Sequence, residues 1–175
     1  MATYPGIYMK APKVYLETTL FNFYFAQTRG QYYGRTVEYC TDARRFFEAV
    51  RAGEFEPYTS KYVTDEIEDC DNEEHRLEMV KLIADHDVII LSADERAERL
   101  ADLYVEATAI PARYRDDALH IAIATVNGLD SIVSLNFEHI VKNKAIRMTA
   151  MINEAEGYKG IDIRSLGEVT GYGKD

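Results

Sequence analysis

The 175-residue chain has no tryptophan, two cysteines and four prolines, and its 20 lysines and arginines are outnumbered by 30 aspartates and glutamates. Each shortage excludes something. Cys40 and Cys70 form no C-x-x-C pair, so neither a disulfide framework nor a zinc ribbon is indicated, and a reducing, cytoplasmic setting is the simple expectation. The most apolar stretch, Val88-Ile89-Ile90-Leu91, is far too short to span a bilayer. Residues 1–13 carry two prolines and no apolar run, so a soluble, unprocessed protein without a membrane partner is expected. The formal net charge of −10 repels phosphate backbones. Taken alone it argues against a nucleic-acid partner, although carboxylates that bind a divalent metal add to the same count.

What is present is enough apolar material, 47% of the residues, for one core over 1–175. Val14-Tyr15-Leu16, residues 57–60, 87–91 and 131–135 read as short strands. Between them, apolar spacings of three and four predict helices over 20–25, 35–51, 62–70, 73–84 and 93–108, the last capped by Ser92. A helix over 114–126 is apolar nearly all round, and another runs from about 137 to 156 with room for a break along it. Five of the ten glycines lie in 157–175, which reads as a loose tail with Ile161-Asp162-Ile163 as an edge strand. Strands alternating with helices imply right-handed crossovers, hence a three-layer α/β/α fold with a mostly parallel central sheet of four to five strands. In such sheets the site lies beyond the carboxyl ends of the strands.

Several polar residues fall there. Glu17 ends the first strand and Asn136 follows the fourth; singly they also suit a dipole-favoured acid and a helix N-cap. Glu66 is more telling. At about 100° per residue from Tyr62 it sits near 40°, within the roughly 0–140° arc of Val63, Ile67 and Cys70, while Asp65, Glu68 and Asp69 fall outside. A carboxylate on a buried stripe needs a cation or several donors. Asp116 and Asp117 open the all-apolar helix, and the wheel does not choose between them; Asp116 and His120 also suit an i, i+4 pair. Carboxylates drawn from distant segments suit Mg²⁺ or Mn²⁺. The four histidines show no H-x-x-x-H spacing, which argues against zinc, and there is no P-loop, G-x-S-x-G or G-x-G-x-x-G.

In order and spacing, Val14-Tyr15-Leu16-Glu17-Thr18-Thr19, the segment 60–66, Asp117-Ala118-Leu119-His120-Ile121-Ala122 and Ser134-Leu135-Asn136-Phe137-Glu138-His139-Ile140 together resemble a PIN domain. More narrowly they are similar to the VapC-like branch of that family. The resemblance implies a metal-dependent ribonuclease, often the toxin of a toxin–antitoxin pair. Glu17 stands where most members have the first Asp, Glu66 matches the second acid, Asp117 rather than Asp116 matches the third, and Asn136 replaces a common fourth Asp. Glu17, Glu66 and Asp117 would hold Mg²⁺ or Mn²⁺, and Asn136 would orient a water or donate to the phosphate. Thr18, Asp116, Ser134 and His139 would fix the orientation of carboxylates or water. Arg29, Arg35, Lys142 and Lys144 would supply positive charge for RNA.

A homodimer and an antitoxin partner also follow from the resemblance. The aromatic run Phe21, Phe23, Tyr24 and Phe25 either fills a core or is covered by another chain. Two alternatives stand beside the nuclease. One is a weakly active or inactive binding module, suggested by Glu17, Asn136 and the acidic surface. The other is a small-molecule phosphatase, for which the first strand lacks a D-x-D motif.

Overall fold

The computed structural model describes residues 10–27, 29–30, 34–136 and 140–170. His139, expected at the site, lies outside the described residues. The strands are β1 (Lys13–Leu16), β2 (Glu56–Ser60), β3 (Ile89–Leu91), β4 (Ser131–Ser134) and β5 (Asp162–Ser165). The helices are α1 (Thr18–Tyr24), α2 (Thr36–Arg51), α3 (Lys61–Glu68), α4 (Glu73–Asp85), α5 (Glu95–Glu106), α6 (Arg115–Val126), α7 (Asn143–Ala155) and α8 (Leu166–Thr170).

All five strands run parallel in the order β3-β2-β1-β4-β5. Every parallel neighbour must be reached by a crossover, and the right-handed rule then places the helices on both faces. Contacts follow that division: α1, α2, α3, α4 and α8 form one helical group and α5, α6 and α7 the other. The result is the three-layer α/β/α architecture.

Burial explains why these segments take these forms. Val14, Tyr15 and Leu16 are all buried because β1 is central and covered on both faces, so it reads as a continuous apolar run. Helix α6 is buried from Ala118 to Thr125, packed against α5 on one side and β4 on another, which is why it carries no polar stripe. Each such Ile or Leu contributes about 1.5–3 kcal/mol by leaving water. The aromatic run packs within the chain: Phe21 is buried, Phe23 meets Tyr39 edge-on, Tyr24 meets Phe47, and Phe25 meets His75.

Three local expectations are corrected. Helix α5 is capped by Asp94, whose carboxylate accepts the amides of Arg96 and Ala97, and not by Ser92. A carboxylate there also brings a negative charge to the positive helix end, which a serine hydroxyl does not. Among the described residues the last long helix, α7, starts at Asn143 after an extended Lys142 and not at 137; before it the Asn136 carbonyl accepts the amides of Ile140 and Val141. The stretch from 157 is not loose as far as it is described. β5 pairs with β4 over four residues, and α8 lies against α2 with Leu166 buried, because Ile163 and Leu166 supply the apolar surface that the glycines do not. Among the described residues no helix is long and apolar enough to cross a membrane.

Candidate functional site

β1 pairs with β2 on one side and β4 on the other, so strand order reverses at β1 and leaves a crevice at its carboxyl end. One register step past Leu16↔Val133 puts Glu17 level with Ser134. Glu17 is 4% exposed and N-caps α1, accepting the Thr19 amide at 2.9 Å and the Thr19 hydroxyl. The Leu135 amide, 3.4 Å away, and the Ser134 hydroxyl also donate to it. Burial pushes its carboxyl above the usual range, and these donors pull the other way. Glu17 thus locks β1, β4 and α1 together.

On α3, Val63 and Ile67 are buried and Glu66 shares their inward side, half-exposed, while Asp65, Glu68 and Asp69 are exposed. The α3 start is fixed by Ser60, whose hydroxyl accepts the Val63 amide at 3.3 Å. Thr18, the first residue of α1, donates its hydroxyl to Glu66. Partial burial raises the Glu66 carboxyl, and the charges of Asp116 and Asp117 on α6 add to that rise. Asp116 is exposed and bonds the Tyr62 hydroxyl, whereas Asp117 is half-buried. Arg115, in the same turn, is committed to Asp102 and Glu98. The i, i+4 pairing of Asp116 with His120 is no more than a charge effect; the His120 ring turns to Glu66 instead, Nε2 to Oε2 3.8 Å.

Asn136 sits half-buried beyond β4, its amide donating to Ser134 Oγ at 2.8 Å. Lys142 and Lys144 are exposed at the start of α7, and Arg35 is exposed just before α2. Arg29 is exposed too, but its guanidinium donates to the carbonyls of Asn22 and Phe25. The structure therefore gathers Glu66, Asp116 and Asp117 on one side, and Glu17, Thr19, Ser134 and Leu135 on the other. Tyr15 lies between, its hydroxyl within the electrostatic reach of both Glu17 and Glu66.

Among the described residues no three His, Cys, Asp or Glu side chains converge closely enough to hold one ion in this arrangement. The donor set is nonetheless all oxygen, and the mutual repulsion at Glu66 is what a hard divalent cation relieves. Tyr15, Ser60 and His120 are the site residues that sequence reasoning missed. A tyrosine on the same strand face as Glu17, two residues earlier, was the signal available. No protein-family model and no curated protein matches the chain.

Proposed function

We propose that the protein is a metal-dependent endoribonuclease that hydrolyses RNA phosphodiesters, of the PIN type and close to its VapC-like toxins. The observation that carries this reading is Glu66: a half-buried carboxylate, held by Thr18, facing two further carboxylates at the switch point of a parallel sheet. Such a group is costly to keep unless it serves a cation. Glu66, Asp117 and Glu17 would hold Mg²⁺ or Mn²⁺, which when bound supplies a water of lowered pKa and cancels charge on the phosphate. Thr18 keeps Glu66 inward. Ser134 holds the backbone at Asn136, so that its side chain would orient water or donate to the phosphate. Lys142 and Lys144 would meet the RNA backbone past β4, with Arg35 beyond α1.

The test is cleavage of structured and unstructured RNA in Mn²⁺ by wild type, Asp117→Asn and Glu66→Gln. Cleavage by wild type and its loss in both variants is expected. Equal cleavage by all three, or by none, overturns the reading.

A second reading, a PIN-like binding module with little activity, is favoured by one observation: the oxygens of Glu17 are already engaged by protein donors. Calorimetry separates the two. Mn²⁺ binding that Asp117→Asn abolishes supports the nuclease; absence of binding supports the module. The homodimer and the antitoxin partner belong to the nuclease reading and stand with it.

A further inference from the structure

A line of buried polar groups runs from β2 through β1 and α6 to Glu66. Ser60 Oγ lies 2.8 Å from the Tyr15 hydroxyl, which lies 2.9 Å from His120 Nδ1, and His120 Nε2 faces Glu66 Oε2 at 3.8 Å. Tyr15 and Ser60 are 0% exposed and His120 4%, so no bulk water completes their bonding. We propose that Tyr15 and His120 are positioning residues for Glu66: the tyrosine fixes the imidazole as the Nε2–H tautomer, and that N–H is held toward the carboxylate. The inference rests on Glu66 being a metal ligand.

Ser60 Oγ already accepts the Val63 amide. In the proposed line Ser60 donates its own proton to the Tyr15 oxygen, and the Tyr15 proton goes on to His120 Nδ1. A neutral imidazole that accepts at Nδ1 carries its hydrogen on Nε2. The ring is 4% exposed, and Tyr15 and Tyr62 pack against it with ring centroids 5.9 and 5.4 Å away. At 3.8 Å the N–H is an oriented dipole on the carboxylate and not a short hydrogen bond.

This dipole matters because Glu66 is pressed by Asp116 and Asp117 and has solvent open on one side. Left to itself the side chain would swing outward. Thr18 holds Oε2 from α1 and His120 from α6, so the carboxylate is placed before any cation arrives. The arrangement inverts the usual one, in which a carboxylate orients a ligating histidine.

The test uses the full chain with imidazole nitrogens labelled. In wild type, in chelator, ¹⁵N resonances should report Nε2–H at His120, and Tyr15→Phe should lose that preference. Mn²⁺ calorimetry should then show an affinity about tenfold weaker in Tyr15→Phe. His120→Gln, whose amide nitrogen can donate from the place of Nε2, should stay within about threefold of wild type, while His120→Leu should match or exceed the loss in Tyr15→Phe. Ser60→Ala, which starves the line from its far end, provides a second milder probe. A purely structural role would lower thermal stability and leave the Mn²⁺ affinity alone. An Nδ1–H tautomer in wild type, or tight Mn²⁺ binding that Tyr15→Phe leaves unchanged, overturns the positioning role only. Failure of wild type to bind Mn²⁺ overturns the metal reading and, with it, the role assigned to the line.

Discussion

The Leu135 amide donates to Glu17 Oε1 over 3.4 Å, joining residues 118 positions apart where the strand order reverses. Few other single side chains could hold β1, β4 and α1 in register, since Glu17 also serves the amide and hydroxyl of Thr19. The extra methylene that separates Glu from Asp acquires a purpose here. It lets the carboxylate cap α1 and still reach the backbone of the neighbouring strand.

Glu17→Ala should therefore destabilise the protein even with metal chelated. It strands buried donors and removes a helix cap, and losses of that kind run to about 2–4 kcal/mol together. Urea denaturation in chelator measures it. A change below about 0.5 kcal/mol would mean that these bonds do not hold the strands.

Glu66→Gln should act in the opposite direction. Removing the charge relieves its repulsion with Asp116 and Asp117, while the Gln carbonyl still accepts from Thr18. Because Glu66 is partly open to solvent, the gain in the metal-free protein should be modest, a few tenths to about 1 kcal/mol. The same variant should lose the rise in melting temperature that Mn²⁺ gives the wild type. Stabilisation without metal, paired with loss of stabilisation by metal, separates a ligand from a structural acid in one thermal-shift experiment.

The sequence-level reading and the structure meet most closely where periodicity and burial agree. The wheel put Glu66 among apolar residues because α3 is short, regular and one-sided, and Val63 and Ile67 are indeed buried beside it. The apolar character of α6 reported its place under α5 and against the sheet. Where a wheel has no polar face it cannot orient a residue, so periodicity left Asp116 and Asp117 equivalent and only the resemblance favoured Asp117; the structure leaves Asp116 exposed and Asp117 half-buried. Tyr15, His120 and Ser60 were hidden for another reason. Their association depends on three elements meeting at the carboxyl ends of two inner strands, and each residue alone looks like ordinary core or an ordinary cap. The last strand was legible at Ile161-Asp162-Ile163, but helix α8 was missed because glycines outweigh one well-placed apolar residue, Leu166, in a composition count.

His120 makes a pH prediction with a definite sign. Burial pushes it from 6.5 down to about 4, so between those values the unfolded chain binds a proton that the folded chain does not. Stability must then fall as pH drops through that window. Glu17 and Glu66, raised in the folded state, act the other way, so the comparison is with His120→Gln at each pH. Between pH 7.5 and 5.0 wild type should lose about 2 kcal/mol more than the variant. Equal slopes would show that His120 is protonated as easily folded as unfolded.

The edge formed by β5 and α8 supplies the last prediction. Leu166 is 0% exposed and begins α8, which lies on α2, while Ile163 is 8% exposed in the strand that covers the outer side of β4. If this segment were a loose tail, Leu166→Ala would cost nothing measurable. Buried as it is, the substitution should cost about 2–4 kcal/mol in urea denaturation, the range for a leucine deleted from a packed site. Met151, by contrast, is 70% exposed on α7, and Met151→Lys should stay within about 0.5 kcal/mol of wild type. The pair shares one apparatus and one baseline, so a flat result at Leu166 beside a flat result at Met151 would return residues 162–170 to the status of a tail. A loss at Leu166 alone establishes them as the closing edge of the sheet.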